Sequence, residues 1–170
     1  MQMQITTFKD MYIAELQELV SMEAQLGAAL LRMSTTAAHP ALARALAYHH
    51  EETGSQRQRL ESMLQSHGAS TRAHTDQAMQ ALIQETEKML GLLKGADLRD
   101  AGLIASAQKL EHYEIAAYGT AAALAGQLQM RNDQTVLHES LEEELEEERE
   151  MDRELTDLAK GEVNRDALAA

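Results

Sequence analysis

Apolar residues recur at intervals of three and four positions along four long stretches of this chain. That spacing places them on one face of an α-helix. The single proline, Pro40, stands where the second stretch begins, a position that needs no backbone N–H. Because aromatic residues make up only 3% of the chain while Ala, Leu, Glu and Gln abound, its composition favours helix over sheet. The sequence therefore predicts an all-α fold.

The period and its interruptions predict a single domain over residues 1–170. Long helices are expected at about 7–33, 40–67, 98–129 and 133–160, with a short one at about 77–93. Short loops within each pair of long helices predict two antiparallel hairpins, joined by a crossover that contains the short helix. Residues 161–170 are expected to form a fraying tail. This layout is that of a ferritin-like four-helix bundle.

Charge and composition limit the classes of function. The chain has 28 Asp and Glu against 15 Lys and Arg, a net charge of −13, which disfavours nucleic acid and anionic membrane as partners. It contains no long apolar run and no signal-peptide pattern, so we expect a cytoplasmic protein with no membrane partner. Because cysteine is absent, any metal has to be held by oxygen and nitrogen atoms.

Several polar residues fall inside the apolar faces of the predicted helices. Burying a carboxylate without a partner costs several kcal/mol, so their position needs a reason. They are Glu23 in the first helix, His49, Glu52 and Gln56 in the second, and Glu111 and Glu114 in the third.

The fourth long helix carries acids at nearly every position, and most of them must face water. Continuing its apolar face from Leu141 to Leu155 reaches Glu148 and Asp152, with Glu144 one turn earlier. Glu148 is the preferred inward candidate.

Histidine and tyrosine side chains adjoin these acids. His49 stands one turn before Glu52 and is predicted to be a metal ligand or the partner of one. His112 lies about 100° around its helix from Glu111, so we expect it to be exposed or at an interface rather than a ligand. Tyr118 falls on the inner face, where it either bonds a ligand carboxylate or simply packs.

The candidate acids are expected to lie at the same level along the axis of the bundle. At about 1.5 Å of rise per residue, Glu23 and Glu52 lie equally far from the first loop, as do Glu114 and Glu148 from the second. Inward acids on four helices predict a dinuclear metal site with bridging carboxylates, and an oxygen-rich site suits iron or manganese better than copper. The alternative is a buried polar network without metal.

The sequence QKLEHYEIAAYGT, residues 108–120, resembles the YciE/YciF-like family of bacterial stress-associated ferritin-like proteins. Residues 15–26, 49–61 and 146–159 resemble the other signature segments of that family, in the same order, so the likeness covers nearly the whole chain. It implies a rubrerythrin-like four-helix fold, a homodimer and a di-iron site.

The resemblance also implies a set of metal ligands. They are Glu23, Glu52, Glu111, Glu114 and Glu148, with His49 and Gln56 beside them. Glu144 and Asp152 are further candidates from the apolar face of the fourth long helix alone. The chain departs from the wider ferritin pattern, because Ser55 and Met151 replace the histidines of the usual E-x-x-H pairs. The reversed pair His49-x-x-Glu52 keeps an imidazole on that face.

These features suggest a di-metal protein with two iron ions per chain, manganese or zinc being alternatives. Such a protein would act in iron handling or in oxidant and stress defence, as a ferroxidase- or peroxidase-like oxidoreductase that oxidises Fe(II) with oxygen or peroxide. The other hypothesis is a non-catalytic helical stress-response scaffold whose metal site is vestigial or structural.

Overall fold

The structure is a computed structural model that describes the backbone of residues 4–158, 160–161 and 164–169. Its helices are α1 (Phe8–Thr36), α2 (Pro40–Ser66), α3 (Gln77–Leu92), α4 (Ala96–Gln127), α5 (Arg131–Leu158) and α6 (Asn164–Ala169). Side chains at positions 144, 147, 150, 151, 154, 155, 158, 164, 166 and 167 lie outside the described set. No strand occurs in the described ranges, which confirms the predicted all-α fold class.

The helices pair as two antiparallel hairpins. α1 packs along α2 and α4 packs along α5, while α3 lies in the crossover against α1 and α4. α1 begins with a capping box, in which Thr7 Oγ1 accepts from the Asp10 backbone and Asp10 Oδ2 accepts from the Thr7 backbone. This capping box sets where α1 begins, and the apolar faces of the helices then bury one shared core.

Buried polar contacts join the helices at both ends of the bundle. At one end Asp100 of α4 accepts the backbone N–H groups of Ala38 and His39, at 2.9 and 2.7 Å, just before α2. At the other end Tyr12 of α1 donates to Asp133 of α5 at 2.8 Å. The middles of the four long helices therefore lie at the same level along the bundle axis, and the candidate acids lie at that level.

The end of the chain differs from expectation. The sequence predicts a fraying tail over residues 161–170, whereas Asn164–Ala169 forms the short helix α6, near α4. Alanine, leucine and arginine in that segment have high helix propensity, which the tail prediction underrated. The assignment of the whole chain to one domain stays a prediction. Within the described ranges, no helix has the length and apolar character needed to span a bilayer.

Candidate metal centre

The polar residues that interrupt the apolar faces of α1, α2 and α4 are turned into the bundle. Glu23 and Glu114 each expose 1% of their surface, and His49, Gln56 and Glu111 are also buried. Ionised carboxylates at this depth are unfavourable unless cations, protons or hydrogen-bond donors compensate them. The interior must therefore supply such compensation.

His49 lies at the centre of the acids from α2 and α4. Its Nδ1 atom is 3.9 Å from Glu52 Oε2 and 4.0 Å from Glu111 Oε1, and its Nε2 atom is 3.4 Å from Glu114 Oε2. These distances indicate electrostatic contact rather than well-formed hydrogen bonds. One imidazole thus stands within 4 Å of three carboxylates.

The α1 carboxylate joins the same group through α4. The Tyr118 hydroxyl donates to Glu23 Oε1 at 2.7 Å. Burial raises the pKa of Glu23 well above its usual value, and the charge of Glu114 raises it further, while Tyr118 and His49 oppose the shift. Glu23 and Glu114 are therefore adjacent, so α1 and α4 meet at this level of the bundle.

The acids of α5 act on the same group. Burial raises the pKa of Glu111 to about 8; His49 opposes this shift, and the charges of Glu114, Glu148 and Asp152 add to it. Glu148 and Asp152 of α5 are therefore near enough to Glu111 for their charges to act on it. Four helices therefore contribute acids to one region of the interior.

Two contacts between α4 and α5 flank this region. His112 Nδ1 lies 2.5 Å from Glu148 Oε1, and Gln108 Nε2 donates to Asp152 Oδ1 at 2.6 Å. His112 is exposed, in agreement with the sequence-based expectation, but its pairing with Glu148 was not predicted. The side chain of Glu144, a further candidate, lies outside the described residues.

Many of the inward oxygens lack a donor. Both carboxylate oxygens of Glu52 and Glu111, and Oε1 of Gln56, accept no hydrogen bond within the described part of the chain. Buried polar atoms without partners are uncommon in folded proteins. Oxygen donors with one imidazole suit a hard or borderline divalent cation such as Fe²⁺ or Mn²⁺.

The described side chains are not yet arranged as a coordination shell. No three His, Asp or Glu residues among them surround a common point in the way that metal ligands do. The carboxylates that lie around His49 would have to reorient to share a cation. Metal ligation by the predicted residues therefore stays a prediction, although the donor set fits it.

Comparison with known proteins places this chain among bacterial relatives. Residues 7–168 match the profile of the family described as a domain of unknown function, DUF892. The chain is 39% identical over 166 residues to the protein YciF of Escherichia coli K12, which covers 97% of this chain and 98% of YciF.

Two solved structures share the fold. The crystal structure of the E. coli stress protein YciF matches with a TM-score of 0.82 at 38% identity, covering 94% of this chain and 99% of that chain. The structure of YcfI, a proposed structural protein from Rhodopseudomonas palustris, also matches with a TM-score of 0.82, at 30% identity, covering 92% and 97% of the two chains.

Proposed function

The chain belongs to the DUF892 family, and we propose that it is a di-metal carboxylate protein, with iron as its metal, acting in iron handling or oxidant and stress defence. The observation that carries the proposal is the meeting of buried carboxylates around His49, with the oxygens of Glu52 and Glu111 lacking hydrogen-bond donors. The name of the E. coli relative, a stress protein, supports the physiological setting. A homodimer and a cytoplasmic location belong to the same proposal.

The contacts suggest how the residues divide the work of holding two cations. Glu114 lies between Glu23 and His49, which suits a carboxylate shared by both ions. Glu52 and Glu111 lie on the other ring nitrogen of His49 and suit terminal ligation. The Tyr118 hydroxyl, bonded to one oxygen of Glu23, leaves the other oxygen of that carboxylate to bind metal.

Protons and cations compete for these carboxylates. Burial raises the pKa values of Glu23 and Glu111, so when no cation is present both carboxyls hold their protons to higher pH than an exposed glutamate does. Cation binding then displaces those protons, and affinity rises with pH. Bound Fe(II) would supply the electrons that reduce oxygen or peroxide.

The proposal is tested by the metal content of protein purified without a chelator. We expect a metal-to-chain ratio of about two, and aerobic addition of Fe(II) to the metal-free protein should give a ferric absorbance change. Glu23→Ala and Glu111→Ala should abolish that change, whereas Glu143→Ala, which alters an exposed acid of α5, should leave it intact. A wild-type chain that binds no metal and shows no change would end the proposal.

A second candidate function is a helical stress-response scaffold with a vestigial or structural ion. Two observations favour it: the described side chains do not form a coordination shell, and the R. palustris relative is a proposed structural protein. This scaffold would bind one ion or none, and the chain would show no ferric absorbance change.

A further inference from the structure

Side chains at the contact between α4 and α5 lead from solvent to the buried acids. The side chain of His112 is 67% exposed, that of Glu148 is 12% exposed, and that of Glu111 is 3% exposed. Glu148 is in contact with His112, and its charge acts on Glu111. These three side chains therefore form a series that passes from exposed to buried across the wall of the bundle.

Glu111, at the inner end of this series, lacks hydrogen-bond donors among the described residues. Glu111 is buried, and neither of its carboxylate oxygens accepts a hydrogen bond from any described residue. Glu148 and Asp152 are near enough to it for their charges to act on it. A buried carboxylate without a donor that faces two further acids is a suitable destination for a cation.

A groove elsewhere in the molecule is a less suitable route. It has a volume of about 680 Å³ and lies between α2 and α5, and Arg59 forms part of its lining. The Arg59 guanidinium is bonded to Glu143 and Ser140, and the acids Asp133 and Glu139 also line the groove. None of the described residues that line the groove is a histidine, whereas the α4–α5 contact offers a divalent cation both an imidazole and a carboxylate.

We propose that His112 and Glu148 form the uptake site through which divalent cations reach the buried carboxylates, with His112 as the first ligand. The inference rests on the proposed function, because it requires an interior that binds metal. Imidazole nitrogen and carboxylate oxygen are both ligands for Fe²⁺, Mn²⁺ and Zn²⁺. Glu148 contacts the exposed His112, and its charge acts on the buried Glu111, so it is placed to exchange one partner for the other.

The test is the rate at which the metal-free chain takes Zn²⁺ from a fluorescent indicator in a rapid-mixing experiment. His112→Ala should slow uptake by about tenfold or more, because the first ligand is lost, while the final metal-to-chain ratio stays that of wild type. The matched control is His138→Ala, which removes an exposed histidine of α5 outside the series. That control should match wild type in both rate and ratio.

A second measurement follows the His112 imidazole directly. In full-length Glu111→Gln protein, substoichiometric Mn²⁺ should broaden the NMR signals of His112 and leave those of His138 sharp, since the outer pair persists when the inner acid is neutralised. Uptake by His112→Ala at the wild-type rate, or faster, would show that the contact with Glu148 only stabilises the α4–α5 packing, and would overturn the inference. A wild-type chain that takes up no metal would overturn both this inference and the proposed function.

Discussion

Glu111 combines burial, nearby negative charge and carboxylate oxygens without donors in one side chain. Its pKa, raised to about 8 from 4.5, means that the folded chain holds this proton over a range in which the unfolded chain has released it. The stability of the folded state is therefore unaffected by this group below pH 4.5 and falls as the pH rises towards 8. The same residue that suits a cation thus weakens the metal-free fold at high pH.

We predict that Glu111→Gln stabilises the metal-free protein at alkaline pH. At pH 5 the variant and wild type should unfold with nearly equal free energies, and at pH 9 the variant should be more stable by at most about 5 kcal/mol, because it has no buried charge. Urea unfolding of chelator-treated protein at both pH values measures this. Glu143→Gln, at an exposed position, should behave as wild type. Identical pH dependence in wild type and Glu111→Gln would show that Glu111 does not hold its proton as described.

The close approach of α1 and α2 depends on Gly27. A Cβ atom at this position would lie 2.7 Å from Thr53 Oγ1, and the Gly27 carbonyl is 2.8 Å from His50 Nδ1. Gly27 stands one turn after Glu23 and faces the part of α2 that carries His49. The absence of a side chain here sets the spacing between two helices that supply candidate ligands.

Substitutions at two glycines should therefore have opposite effects. Gly27→Ala should lower the free energy of unfolding by about 1–2 kcal/mol, because the new methyl group pushes the helices apart. Gly54→Ala, in α2 with nothing within 4 Å of the new Cβ, should raise it by about 0.5–1 kcal/mol through helix propensity. Urea denaturation measures both values. If both variants are stabilised equally, α1 and α2 do not pack as closely as described.

The two hairpins are tied together at one end of the molecule by Asp133. Its Oδ2 atom accepts from the Tyr12 hydroxyl at 2.8 Å and lies 2.5 Å from His67 Nε2, so one carboxylate joins the start of α1, the end of α2 and the start of α5. Tyr12 is fully buried and its ring meets that of His67 edge to face. This contact fixes the axial positions of the hairpins relative to each other, and with them the common depth of the acids.

Asp133→Ala should destabilise the whole molecule by about 2–3 kcal/mol, because it leaves the buried Tyr12 hydroxyl and His67 without their charged acceptor. Thermal unfolding followed by circular dichroism would show the loss as a lower Tm. Asn132→Ala, at the exposed neighbouring position, is the control and should change the Tm little. A Tm for Asp133→Ala equal to that of the control would mean that the hairpins are held together elsewhere.

The helices themselves could be read from the sequence. The first five begin and end within three residues of the predicted positions, because apolar period, capping residues and Pro40 act over only a few positions. The inward direction of Glu23, Glu111 and Glu114 followed from the same period, since a residue inside an apolar face is buried with it. In α5 the period was less informative, because acids at nearly every position left Glu148 to be chosen by extrapolation.

The neighbours of these acids were decided by tertiary structure alone. Whether His112 pairs with Glu148, or Tyr118 with Glu23, depends on how α4 rotates and slides against α5 and α1. The relative rotation and axial position of the helices are set by contacts between residues far apart in the chain, such as Gly27 with Thr53 and Tyr12 with Asp133. The sequence determined which side chains face the interior because helical period is local; packing across the bundle determined which of them meet.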